Sequence, residues 1–319
     1  MRKRLYWYFF ILVLYIMPIN IPNGLPAATV LSTEEVFVMT EDRAMHQDIR
    51  PLELLFLNLM PKKINTEIQF MRRLSNSPLQ VNITLLRVDD HECRNTPQQH
   101  LDTFYKDFDD IKDTRFDGMI ITGAPLDQKH FSDVTYWDRL EMIINWSAVN
   151  VTSTLFSCWG VAAALKVFYG LDILFREDKL SGIYSVNRAH CNDTLIRGFD
   201  DSFLAPFSRF CDFPIKVIKQ STDLKILAAS EATGLYLGVS ADRRQVYVTG
   251  HPEYDATTLA DEYRRDLLAN KNPHIPVNYF PNDDPSEDPS CKWRSHSSLL
   301  FANWLNYYVY QLTPYDLYK

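Results

Sequence analysis

Thr154-Leu-Phe-Ser-Cys158-Trp-Gly160 is the stretch that decides the fold class of this chain. It reads as an apolar strand that stops on a cysteine and turns into an Ala-rich helix over residues 161–168. A side chain on such a corner is pushed out at the edge of a sheet, and the next backbone N–H groups point at whatever it attacks. The positive end of the helix should also favour the Cys158 thiolate over the thiol. A second stretch, Val248-Thr-Gly-His251-Pro-Glu253-Tyr-Asp255, supplies a histidine and a carboxylate two residues apart. On an extended segment those side chains share a face, with Pro252 stiffening the backbone between them. Nucleophile, base and base-orienting acid are the parts that covalent catalysis needs. Alone, a cysteine at a helix start is more often a small core residue, and a lone His-Pro-Glu is more often a strand-end turn. Because each stretch follows its own apolar strand, the two together point to a triad of Cys158, His251 and Glu253.

Working outward, strands and helices alternate. Residues 54–59 (LLFLNL) read as a buried strand and 64–74 as a helix, with Ile68, Met71 and Leu74 at helical spacing. Strands are expected at 81–88 and 116–122, a helix at 136–146, and the cysteine-bearing strand at 151–157. This order implies an α/β fold, a mostly parallel sheet with helices on both faces. Ligands in such sheets bind beyond the carboxyl ends of the strands, where Gly123, Cys158 and His251 all fall. In the second half, residue 179 begins a strand and 197–206 reads as a loop. Residues 234–239 and 245–249 form a hairpin feeding the His-Pro-Glu segment, and 257–268 form a helix. Residues 270–290, rich in Pro, Asn and Asp, form a long loop of the kind that serves a site or a dimer arm. Residues 297–312 make a closing amphipathic helix rich in Trp and Tyr.

With 319 residues, 46% of them apolar, the chain can bury a large core, and no clean internal boundary divides it. A net charge of −7 gives no general attraction to nucleic acid or to an anionic membrane. Five scattered cysteines (Cys93, Cys158, Cys191, Cys211, Cys291) and eight histidines show no metal-ligand spacing. No metal or bound cofactor is expected, and a reducing, cytoplasmic setting is. The N-terminus conflicts with that setting. Arg2-Lys-Arg4 precedes the apolar run 5–19, which is short for a membrane span. Three readings stand for residues 1–16: a misassigned start with Met17 as the true first residue, a signal or anchor, or a short extension of a single domain over 17–319.

The motifs resemble one family along their whole length. Leu57-Asn-Leu-Met-Pro-Lys-Lys63, Leu74-Ser-Asn-Ser-Pro-Leu-Gln80, Thr122-Gly-Ala-Pro125, Phe156-Ser-Cys158-Trp, Arg197-Gly-Phe-Asp-Asp-Ser-Phe-Leu-Ala-Pro206, Thr249-Gly-His-Pro-Glu-Tyr-Asp255 and Asn303-Trp-Leu-Asn-Tyr-Tyr-Val-Tyr-Gln311 are similar to those of the homoserine O-succinyltransferases of methionine biosynthesis. The likeness runs from about Met17 onward, and residues 1–16 have no counterpart. It implies the flavodoxin-like fold of class I glutamine amidotransferases, a homodimer, and L-homoserine and an acyl-CoA as substrates. It also implies that Cys158 forms an acyl thioester, that His251 is the base and that Glu253 orients it. Lys179, Ser208 and Arg265 lie where the family contacts homoserine. Lys62 or Lys63, after the first strand, is a further candidate for holding an oxyanion or the acyl group; otherwise each is a surface lysine at a helix start.

The chain departs from the family at two positions. Ala162 stands where relatives usually carry Gln. Asp127 stands where the family sorts acyl groups, a small residue going with succinyl and an acidic one with acetyl. The likeness as a whole favours succinyl-CoA as donor; Asp127 favours acetyl-CoA, because it would repel a succinyl carboxylate unless Lys129 or another cation compensates. Two rivals differ in kind. A cysteine hydrolase or amidotransferase on the same fold would usually have glycine where Phe156 stands. A membrane-tethered binding protein would use the N-terminal apolar run.

Overall fold

The computed structural model describes residues 19–34, 38–40 (as backbone), 50–88, 95–126 and 128–314. The expectations for residues 1–16 and for Asp127 lie outside the described residues. The strands are β1 (Ile19–Ile21), β2 (Val38–Thr40), β3 (Leu52–Leu57), β4 (Val81–Leu86), β5 (Tyr105–Lys106), β6 (Phe116–Ile121), β7 (Val151–Ser157), β8 (Leu174–Arg188), β9 (Ser202–Asp212), β10 (Lys225–Ser230), β11 (Gly234–Val239) and β12 (Gln245–Val248). The α-helices are α1 (Pro26–Thr33), α2 (Lys63–Leu74), α3 (Gln98–Phe104), α4 (Trp137–Asn150), α5 (Trp159–Tyr169), α6 (Ile215–Ser221), α7 (Thr258–Leu268) and α8 (Arg294–Asn303).

All these strands join one sheet in the order β2-β1-β4-β3-β6-β7-β12-β11-β10-β8-β9, with β5 beside β4. From β2 to β12 the neighbours run parallel. Beyond β12 they alternate in direction. The central strands are apolar almost throughout because both faces are covered. Successive residues point to opposite faces: Leu54 and Phe56 join one core with Phe70 and Met71 of α2 and Phe301 of α8. Leu55 and Leu57 join the other, with Ile143 and Ile144 of α4 and Trp159 and Leu165 of α5.

Three expectations need correction. The segment 197–206 is a loop only at its start, for β9 begins at Ser202 and pairs with β8 over most of its length. Its inward alternation of Phe203, Ala205, Phe207, Arg209 and Cys211 was masked by a polar start and by Pro206. The proline is tolerated because β9 ends the sheet. The strand expected from residue 179 begins at Leu174 and reaches Arg188. Between the pairs Phe175–Cys211 and Leu180–Arg209 it carries a bulge that contains Lys179. The closing helix is α-helical only to Asn303; Trp304–Tyr310 continues as a π-helix. That wider turn buries Trp304 and Tyr308, and the Trp304 indole N–H donates to Ser153 Oγ at 3.0 Å.

Candidate active site

β7 ends at Ser157, and the chain turns through Cys158 at φ 50°, ψ −114° into α5. This left-handed backbone, rare for a residue with a Cβ, is the strained corner that exposes a nucleophile. The Cys158 N–H donates to the Val248 carbonyl at 2.8 Å, which ties the corner to the end of β12. Two glycines let the neighbouring chain close in. A Cβ on Gly160 would stand 2.9 Å from the Thr122 carbonyl oxygen, and one on Gly123 would stand 3.1 Å from Cys158 Cβ. Cys158 is 5% exposed and opens on a cavity of about 780 Å³.

His251 follows β12, and its backbone N–H donates to the Pro206 carbonyl at 2.9 Å. The sequence suggested an extended His-Pro-Glu segment. The structure instead closes a turn, with the Tyr254 N–H donating to the His251 carbonyl at 3.1 Å. Proline at the second position of a turn has the φ that the turn needs, and the bend brings the two side chains together. His251 Nδ1 lies 2.7 Å from Glu253 Oε1, and the imidazole and Cys158 line the same cavity, near enough for their charges to interact. Nδ1 thus carries the proton given to the carboxylate, leaving the other ring nitrogen for the thiol. The Tyr254 ring stacks on the imidazole at 4.1 Å. Its carbonyl accepts from Arg73 at 3.2 Å and from the Trp293 indole at 3.1 Å, which fixes the turn.

Contact with the Cys211 sulfur and burial push the Cys158 thiol well above its usual value, with His251 pulling the other way. Loss of solvent and the second thiol thus work against the ionised sulfur that the helix start favours. Burial disfavours a charged His251, but Cys158 and Glu253 outweigh it and raise the imidazole well above its usual value. The two groups titrate as a pair, and the sulfur loses its proton to the imidazole as it attacks.

Opposite the triad stands a polar cluster. Lys179, aimed inward by the β8 bulge, lies 3.0 Å from Glu262 and 3.4 Å from Asp266. The Ser208 hydroxyl also donates to Glu262, and the Tyr254 hydroxyl donates to it at 2.6 Å. Arg265 pairs with Asp266 at 2.9 Å. Burial would raise Glu262, but Lys179, Ser208 and Tyr254 together hold it below the usual carboxyl range. All three expected contact residues thus line the triad's cavity. Glu262 was missed, although its helical spacing from buried Leu259 and Asp266 marks it as inward-facing.

Lys62 and Lys63 do not reach the cavity. Lys62 is exposed at the start of α2. Lys63 is buried, its ammonium donating to the Asn58 carbonyl and lying over the Tyr105 ring, because the helix turns it toward the sheet. Ala162 packs in the core with Trp159 and is absent from the cavity wall. Ala124, Pro125 and Gln128, on either side of Asp127, do line it. Among the described residues no group of His, Cys, Asp and Glu suits a metal ion, and no helix is long and apolar enough to cross a membrane.

Comparison with known proteins agrees with this geometry. A glutamine amidotransferase from Thermotoga maritima superposes with a TM-score of 0.52 over 81% of this chain and 98% of its own, at 13% identity, which speaks for the fold alone. A homoserine O-acetyltransferase from Succinatimonas hippei is 71% identical over 94% of this chain and 99% of its own length. A homoserine O-succinyltransferase from Tolumonas auensis is 62% identical, covering 94% and 96%. The family model described as homoserine O-succinyltransferase matches residues 18–315. With that match spanning nearly all of a chain whose sheet carries Cys158 and His251 on one cavity wall, with Glu253 bonded to the histidine, the protein belongs to the homoserine O-succinyltransferase family.

Proposed function

We propose that the chain moves an acyl group from acyl-CoA to the side-chain hydroxyl of L-homoserine through a thioester on Cys158, a step of methionine biosynthesis. The observation that carries this reading is Cys158 on a strained corner, opening on a cavity whose wall it shares with a His251 that Glu253 orients. In the first half-reaction the Cys158 sulfur attacks the thioester carbonyl while His251 takes the thiol proton. Backbone N–H groups at the start of α5 hold the oxyanion, and the tetrahedral adduct collapses to acyl-Cys158. The CoA sulfur leaves with the proton from His251. In the second half-reaction the homoserine hydroxyl gives its proton to His251 and attacks the acyl carbon, and Cys158 leaves and regains that proton. Arg265 and Lys179 suit the substrate carboxylate, and Glu262 and Asp266 its ammonium. The reaction runs in the reducing cytoplasm, as the scattered cysteines suggest, and the enzyme is a homodimer, as the sequence resemblance implies.

The acyl group is acetyl. The sequence resemblance weighed toward succinyl, but three observations favour the smaller neutral group. Asp127 is acidic where the resemblance ties an acid to acetyl, and the relative at 71% identity bears the acetyltransferase name. The cavity cations Lys179, Arg265 and Lys271 all lie against Glu262 or Asp266, so a second carboxylate would compete for charge already balanced. Succinyl is the second reading, supported by the family description and by the relative at 62% identity.

One experiment tests both parts. The protein is incubated with acetyl-CoA or with succinyl-CoA, without homoserine, and the Cys158 peptide is weighed. Acetyl-CoA should add one acetyl group to Cys158, removed when homoserine is supplied, and succinyl-CoA should add little. Acylation by succinyl-CoA in preference would reverse the donor. No acylation of Cys158 by either, or glutamine hydrolysis in a parallel assay, would sink the proposal.

A further inference from the structure

One side chain touches both the triad and the polar cluster opposite it, and the two half-reactions give it no task. Tyr254 is buried and lines the cavity. Its ring lies face to face with the His251 imidazole, 4.1 Å between centres and 18° between planes. Its hydroxyl donates to Glu262 Oε1 at 2.6 Å, while Lys179 and Ser208 donate to Oε2 of the same carboxylate. The tyrosine is itself fixed. Its N–H donates to the His251 carbonyl at 3.1 Å, and its own carbonyl accepts from the buried Arg73 and Trp293 side chains. It packs in a core cluster with Leu259 and Ala260 of α7, the helix that carries Glu262. Two restraints then define the imidazole. The bond from Nδ1 to Glu253 sets its direction, and the stacked ring sets its plane, which a single hydrogen bond leaves free to swing.

We propose that Tyr254 is a positioning residue for the second half-reaction: it fixes the spacing between the imidazole that takes the homoserine proton and the carboxylate that holds the homoserine ammonium. This inference rests on the proposed function. It divides the work of one side chain. The ring serves the base, which acts in both half-reactions, whereas the hydroxyl serves the acceptor alone. Without the hydroxyl, Glu262 Oε1 is free to turn away, and the acceptor is held by a carboxylate no longer set relative to the base. A misplacement of about 1 Å between reacting groups can cost roughly a hundredfold in rate, so a stiff link between base and acceptor matters.

The two half-reactions are timed separately on the full-length protein. Acylation is followed by CoA release from acetyl-CoA, and in parallel from succinyl-CoA, without homoserine. Deacylation is followed by loss of the acyl group from Cys158 at rising homoserine. In Tyr254→Phe, which keeps the ring, the homoserine needed for half-maximal deacylation should rise roughly tenfold while acylation slows less than about threefold. In Tyr254→Leu, which loses the flat ring, both steps should slow at least about tenfold. In a Glu262→Ala background, Tyr254→Phe should change the homoserine dependence less than about twofold, because the group it acts through is gone. Equal slowing of both steps in Tyr254→Phe, or an unchanged homoserine dependence, overturns the inference even if the other variants do not fold. Wild-type Cys158 that takes no acyl group from either ester sinks the proposed function and this inference with it. Acylation with an unmoved homoserine dependence in Tyr254→Phe sinks this inference alone.

Discussion

Among the described residues two buried histidine–glutamate pairs stand out, and one of them faces a nucleophile. His251 and Glu253 meet at 2.7 Å, and the imidazole shares the cavity wall with Cys158. His100 and Glu67 meet at 3.0 Å between α3 and α2, equally buried, and their other neighbours are structural. The Tyr105 hydroxyl donates to Glu67 at 2.5 Å, Asn58 donates to that hydroxyl at 3.0 Å, and Lys63 lies over the tyrosine ring. The lesson is that a hydrogen-bonded imidazole and carboxylate make a base only when the second ring nitrogen meets a group worth deprotonating. Otherwise the pair is a satisfied polar bridge between helices.

Exchange of the corresponding residues puts that contrast at risk. The largest expected effect is in His251→Ala, which should lose at least about a thousandfold in acyl transfer. His100→Gln should lose less than about tenfold in turnover and instead lower the melting temperature, since it loosens a buried bridge. Parallel kinetics and thermal melts decide it, and equal kinetic losses would erase the distinction. Next, Glu253→Gln should cost roughly a hundredfold or more, whereas Glu67→Gln should cost about 1–3 kcal/mol of stability in denaturant titrations.

The pH profile sharpens the same comparison. Glu253 is one of the charges that hold His251 above its usual value of 6.5. The imidazole must be neutral to accept a proton, so kcat/KM should climb on an acid limb lying above that pH. In Glu253→Gln the limb should move to lower pH, because a protonated imidazole loses its partner; an unmoved limb would remove Glu253 from its role. Lys179→Met should act on binding, raising KM for homoserine about tenfold with a smaller change in kcat. The smallest effect concerns acid stability. Glu262 and Asp266 are held below their ordinary values of 4.5 and 3.8 by Lys179 and its neighbours, against burial. The stability they contribute is complete above those values and is lost as pH falls through the lowered ones. Glu262→Gln should flatten that acid limb of the melting curve.

Much of the fold was legible because its signals are local. β7 and α5 meet where an apolar run breaks at Cys158-Trp-Gly160, and both glycine approaches sit within that motif or the Thr-Gly-Ala-Pro motif. The parallel order followed from alternating strand and helix periods. The start of β9, up to Pro206, reads as a loop because Asp200, Asp201 and Pro206 resemble turn chemistry when the sheet edge that tolerates them is out of view. The three substrate-side residues were placed by resemblance alone, since nothing local separates Lys179 or Ser208 from a surface residue.

The sequence by itself determined the corner, the histidine–carboxylate pairing and the strands that carry them, because backbone preference and apolar period act over a few residues; the turn at Pro252 came from the structure. Tertiary structure alone decided which imidazole shares a cavity with Cys158 and that Glu262 ties Lys179 to Ser208. Each of these depends on distant segments brought within a few ångströms, where exclusion of water makes a neighbour's charge or hydrogen bond count for more than anything adjacent in the chain.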